Sequence, residues 1–211
     1  PDVHIVDRYF KTARKLGVRD DRQGLDFVVR PADRTEAASY LPDRPFVAMA
    51  IGAGLNTKCL EVDQIHHLAA DIRYPVVLLG GPDDQAKGEQ IARELDGVVN
   101  LAGVISLGAS AAVVDQAGLL ITPDTGLMHI AAALDKPVIS VWGNTVPKFG
   151  MTPLYRQDSA ARHALFEIGA LPCRPCSKIG YDACPKGHFK CIRELPLPGI
   201  VSLVHDWLEG A

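Results

Sequence analysis

The chain has 211 residues and a mass of 22.7 kDa, room for one large α/β domain or two small ones. Lys and Arg number 22 against 25 Asp and Glu, a net charge of −3 that argues against a general nucleic-acid binder. With 47 % hydrophobic and 22 % charged residues the composition is globular rather than disordered, and at this length no disulfide staples are needed for stability.

At the start, Ile5, Val6, Tyr9, Phe10, Ala13 and Leu16 recur at three- and four-residue steps. This spacing predicts an amphipathic helix over residues 2–17, closed by Gly17. Residues 19–44 are charged, contain Pro31 and Pro42, and have one short apolar patch at 27–29; with the helix they read as a linker or arm over residues 1–45. The first residues, Pro-Asp-Val-His, carry no initiator Met and no signal-peptide pattern, so a processed or excised piece of a longer protein is expected. No apolar run approaches the roughly 20 residues that cross a bilayer.

From Phe46 a regular alternation sets in. Strands are expected at 46–51, 75–79, 98–101, 119–121 and 137–142, with a sixth at 163–168. Helices are expected between them at 61–72, 83–95, 107–117 and 127–134. The strands are apolar at consecutive positions, which is the mark of burial on both faces. Strand–helix repetition about every 20–25 residues fits right-handed βαβ units. Residues 46–168 therefore predict a Rossmann-like, doubly wound parallel sheet of about six strands, in a unit extending to 198 with a Cys-rich loop at 171–195. Ile200, Leu203, Val204 and Trp207 share one face of a closing helix within 199–211.

In such a sheet ligands bind beyond the carboxyl ends of the strands, where loops meet helix N-termini. Three loops there are rich in Gly and small polar residues: Gly52-Ala53-Gly54-Leu55-Asn56-Thr57-Lys58, Gly80-Gly81-Pro82-Asp83-Asp84 and Asp124-Thr125-Gly126. Glycine lets backbone N–H groups approach a ligand, and those groups with the helix dipole favour a phosphate. Taken singly the signals have plainer readings. Asp124 or Thr125 caps the apolar helix that follows, His129 is a satisfied core histidine, and Lys58 is a surface lysine. Neither the GxGxxG fingerprint nor the Walker GxxxxGK[ST] pattern is present, so a Walker-type nucleotidase is not expected.

Taken together the loops resemble glycosyltransferase family nine, the ADP-heptose:lipopolysaccharide heptosyltransferases. The resemblance is carried by Gly54-Leu55-Asn56-Thr57-Lys58, by Leu78-Leu79-Gly80-Gly81-Pro82-Asp83, and above all by the run from Asp124-Thr125-Gly126-Leu127-Met128-His129 to Leu134, followed by Lys136-Pro137 and a strand ending Trp142-Gly143. It covers about residues 46–195, the C-terminal half of such an enzyme. It implies the GT-B architecture, in which two Rossmann-like domains face across a cleft and the C-terminal one holds the nucleotide-sugar donor. Asp124, Thr125, Gly126 and Leu127 then match positions that meet the donor diphosphate and sugar, with His129 the helix histidine nearby. Lys58 matches a basic residue that neutralises the departing diphosphate, with Gly54 and Thr57 in its loop. Asp83 matches an acidic residue near the donor, and Ile105 and Ser106 the loop lining the base pocket. The implied partners are an ADP-sugar and a lipid-linked glycan acceptor, the latter bound, with the general base, by an N-terminal domain for which residues 1–45 are too short. No cofactor is implied for catalysis, and the implied location is cytoplasmic or peripheral at the inner membrane. The chain departs from the pattern at Cys59-Leu60, where many relatives have a basic residue and Trp. Two other classes compete: a GT-B-fold UDP-sugar epimerase and a non-catalytic nucleotide-binding module.

Four of the five cysteines, Cys173, Cys176, Cys184 and Cys191, are spaced C-x2-C-x7-C-x6-C with His188 among them, a pattern also seen in many members of that family. The spacing fits a structural zinc knuckle, with unliganded thiols or disulfides as the alternatives. Lys178, Lys186, Lys190 and Arg193 make this loop basic, either to face an anionic acceptor or simply as a solvated surface.

Overall fold

A computed structural model describes residues 3–210; Pro1, Asp2 and Ala211, the outermost positions of the two expected terminal segments, lie outside it. Six strands form one sheet: β1 (Val47–Ala50), β2 (Val76–Leu79), β3 (Val98–Asn100), β4 (Leu119–Pro123), β5 (Val138–Trp142) and β6 (His163–Glu167). Their order is β3-β2-β1-β4-β5-β6 and every pairing is parallel, with Met49 of β1 opposite Leu78 of β2 on one side and Ile121 of β4 on the other. The order reverses between β1 and β4, which places the switch point of the doubly wound fold at the carboxyl ends of these two strands.

Helices cover both faces, so each strand sends alternate side chains into different layers. Val47 and Met49 join Ile65 and Leu68 of α3 (Val62–Asp71), Ile91 of α4 (Gln85–Glu94), Ile192 of α7 (Lys190–Arg193), and Ile200, Val204 and Trp207 of α8 (Leu197–Glu209). Ala48 and Ala50 join Val113 and Val114 of α5 (Leu107–Gln116) and Met128 and Ala131 of α6 (Gly126–Ala133), with Trp142 in the same layer. The small side chains of α5 and α6 let both helices lie close on the sheet. At the edge, β6 is only partly covered and leaves Leu165 44 % exposed.

The N-terminal arm holds more structure than its composition announces. Helix α1 (Ile5–Ala13) runs into a 3-10 turn that ends at Gly17, whose φ of +77° only glycine adopts freely. Its start is tied to the loop after β5: Ile5 N–H donates to Gly150 O at 2.7 Å and Arg8 donates to Phe149 O at 2.6 Å. A second helix, α2 (Pro31–Ala38), forms where only linker was expected. Pro31 opens it, and Asp33 turns back to accept from Arg30 N–H at 3.1 Å. Ala37 is its one buried hydrophobic residue, too little for a periodic pattern to show in sequence. Tertiary contact with α5 supplies the rest: a Cβ on Gly108 would overlap the Asp33 carboxylate, and Arg34 pairs with Asp115.

Candidate functional site

The carboxyl ends of β1, β2 and β4 open into a cleft of about 990 Å³. The loop after β1 contributes Gly52, Gly54 and Asn56; the turn after β2 contributes Gly80 to Asp84, and Lys87 follows on α4. Ile105, Leu107 and Ser110 form a third side, and Thr125, Gly126 and Leu127 a fourth. Of the residues expected at a donor site, Gly54, Asp83, Ile105, Thr125, Gly126 and Leu127 therefore line one cavity.

Helix α6 starts at its rim without a side-chain cap: neither Asp124 nor Thr125 serves as one. The first N–H groups of a helix have no intrahelical acceptor, and the helix dipole leaves this end positive. A Cβ built on Gly126 would meet nothing within 4 Å, so packing does not demand glycine there; it leaves the backbone open to the cleft.

Lys58 and Asp124 stand beside this terminus rather than in the cleft wall. Lys58 Nζ lies 2.9 Å from Asp124 Oδ2 and donates to the Asp124 carbonyl at 3.3 Å, with side chains 16 % and 6 % exposed. Thr145 Oγ1 donates to the same carboxylate oxygen at 3.0 Å. Asp124 thus holds Lys58, a role that its place beside Thr125 and Gly126 in the chain does not reveal. His129 is half-buried on α6, and burial lowers its proton affinity below the ordinary histidine value, with Asp124 offsetting part of the effect.

Two expected donor residues make other contacts. Thr57 is 2 % exposed, and its hydroxyl donates to Tyr181 O at 2.8 Å and accepts from Tyr181 N–H at 2.7 Å, so it fastens the Lys58 turn to the Cys-rich loop. Ser106 accepts from Ala109 N–H at 3.1 Å as the cap of α5, and it donates to Glu36 of α2 through Oγ at 2.9 Å and N–H at 2.8 Å.

Sequence reasoning named Asp84 only as part of its loop and passed over Lys87. Lys87 Nζ donates to Ile51 O at 2.6 Å and to Asp84 Oδ1 at 3.0 Å, while Asp84 Oδ2 accepts from Gly81 N–H at 3.0 Å. A Cβ on Gly52 would overlap the Asp84 carboxylate, and one on Gly80 would come within 2.8 Å of it. These glycines make room for a side chain of the protein itself, a pairing that the sequence alone does not show.

The Cys-rich loop is anchored by Arg174, whose side chain is 4 % exposed. Its guanidinium donates to the carbonyls of Trp142, Gly143, Thr145 and Ile168 and pairs with Glu167 at 2.7 Å. All five cysteines are free thiols. Cys173 Sγ lies 3.6 Å from His188 Nε2, and Cys176 Sγ donates to the Cys173 carbonyl at 2.9 Å. Burial raises the Cys176 thiol and lifts Cys191 to about 11, whereas at Cys184 burial is outweighed by the surrounding backbone N–H groups, which lower its thiol. Among the described residues no three His, Cys, Asp or Glu side chains converge as a metal-holding set.

A family model for glycosyltransferase family 9 (heptosyltransferase) matches residues 1–179. The chain belongs to this family. It is 37 % identical over 197 residues to lipooligosaccharide heptosyltransferase 2 of Haemophilus influenzae, covering 83 % of this chain and 56 % of that one. It is 38 % identical over 156 residues to lipopolysaccharide heptosyltransferase 3 of Escherichia coli K12, covering 68 % and 45 %. This family 9 chain therefore spans about half the length of the curated relatives it matches. Among solved structures, a family 9 glycosyl transferase from Veillonella parvula superposes with a TM-score of 0.76 at 22 % identity, over 100 % of this chain and 62 % of that one. The E. coli ADP-heptose lps heptosyltransferase II superposes at 0.67 and 20 % identity, over 88 % and 54 %. At such identities the likeness concerns the fold, and it agrees with the Rossmann-like sheet described above. Among the described residues no helix is long and apolar enough to cross a membrane.

Proposed function

We propose that the cleft receives the nucleotide-sugar donor of a heptosyltransferase, ADP-heptose, and that the whole enzyme passes the sugar to a lipopolysaccharide core or a related surface glycan. The observation that carries this reading is the uncapped N-terminus of α6, opening into the cleft beside the buried Lys58–Asp124 pair. A diphosphate seated there would meet free N–H groups and the positive end of the helix dipole. In the transfer the bond between sugar carbon and diphosphate oxygen breaks, its electron pair stays on the leaving diphosphate, and the acceptor hydroxyl oxygen forms the new bond. Charge therefore grows on the diphosphate, where the Lys58 ammonium and the helix terminus stabilise it in a partly dry site. The acceptor's proton passes to a general base, which with the acceptor site belongs to the other half of the two-domain enzyme that the family resemblance implies.

Calorimetry of the chain with ADP, UDP and GDP tests the donor reading. Tightest binding to ADP is expected, with K58M weakening it about tenfold through loss of one charge-assisted contact. A preference for UDP would favour an epimerase-like site, and binding to none of the three would overturn the proposal.

A further inference from the structure

Lys58 cannot steer itself. Its ammonium sits on a flexible four-carbon stem, and a lysine acts as a point charge whose position must come from neighbours. The structure supplies two acceptors from one residue, the Asp124 carboxylate at 2.9 Å and the Asp124 carbonyl at 3.3 Å. Two of the three ammonium donors are thereby engaged. The carbonyl is fixed by the backbone, but the carboxylate can rotate about its own side-chain bonds unless something else grips it.

That grip comes from Thr145, which is fully buried at 0 % exposure. Its hydroxyl donates to Oδ2, the same oxygen that faces Lys58, at 3.0 Å. A carboxylate is acceptor-only when ionised, so the single hydroxyl proton must point at Asp124. Thr145 is itself held from behind, because Arg174 of the Cys-rich loop donates to the Thr145 carbonyl at 2.9 Å. With no exposed surface, the Thr145 side chain has none to offer a bound nucleotide. Hydroxyl, carboxylate and ammonium form a buried relay ending at the mouth of α6.

We infer that Thr145 is a positioning residue for the leaving-group lysine, fixing the Asp124 carboxylate and through it the place of the Lys58 ammonium. This inference rests on the donor-site reading above. Three variants of the chain, titrated with ADP, test it. T145V keeps the side-chain shape and removes the donor; it should weaken ADP binding about tenfold, the effect of losing a hydrogen bond to a charged group. T145S restores the hydroxyl and should stay within about twofold of the unaltered chain, a rescue that loss of packing would not give. In a K58M background T145V should have no further effect, because the hydroxyl acts through the ammonium. Unchanged affinity in T145V, failure of T145S to rescue, or an equal loss in the K58M background would each overturn the assignment and leave the donor reading standing. Absence of ADP binding by the unaltered chain would take both down. Should T145V not fold, T145A and K58M/T145A carry the comparison: a loss of about tenfold in T145A that disappears with K58M is expected, and no loss, or a loss that persists with K58M, overturns the assignment.

Discussion

His129 and His163 are both half-buried, and in both burial lowers the proton affinity of the ring below the ordinary value of 6.5. For His129 the Asp124 carboxylate pulls the other way, while His163 has Ser140 Oγ at 3.1 Å and no charged group acting on it. The unfolded chain therefore binds more protons than the folded one as pH falls below about 6.5, and stability drops with it. The contribution is whole above that pH and is lost on the way down toward the lowered folded-state values. A lower urea midpoint at pH 5.5 than at pH 7.5 is expected, with a shallower decline in H163N. Partly exposed carboxylates such as Glu61, held down by Arg193, act only at more acidic pH. At this level sequence showed which residues were unusual but not which atoms they would meet. Lys58 and Asp124 are 66 positions apart, and Thr57 finds its partner in Tyr181, 124 positions on. Such pairings depend on loop paths that no local pattern encodes.

The strands and helices of the sheet were the most legible part, because burial on both faces forces continuous apolar runs whose length and flanking glycines are visible in sequence. Helix α2 was not legible. It has a Pro start and an Asp33 return contact, but its neighbours, not its own periodicity, hold it in place. Ser106 joins the two cases. As read from sequence it belonged to the base pocket; in the structure it caps α5 and anchors Glu36 of α2. S106A is accordingly expected to lower unfolding free energy by about 1 kcal/mol, the usual loss of a helix cap, while leaving ADP affinity within about twofold. Urea denaturation and calorimetry on the same preparation distinguish this from a base-contact role, which would reverse the two effects.

The molecule as a whole is a sheet clad on two sides, and its cleft lies where strand order reverses between β1 and β4. That location follows from topology alone, so the place of the cleft was foreseeable even where its side-chain contacts were not. The same layering has an optical consequence. The chain contains 2 tryptophans, Trp142 in the layer with α5 and α6 and Trp207 in the layer with α3 and α8. Nature has thus placed one intrinsic fluorophore on either side of a shared partition, and W142F and W207F each leave a single emitter reporting on one side. Because both sides are built on the same strands, the two emission curves are expected to fall together in urea, marking one all-or-none event. Curves that part company would mean that one side can melt while the other keeps its shape.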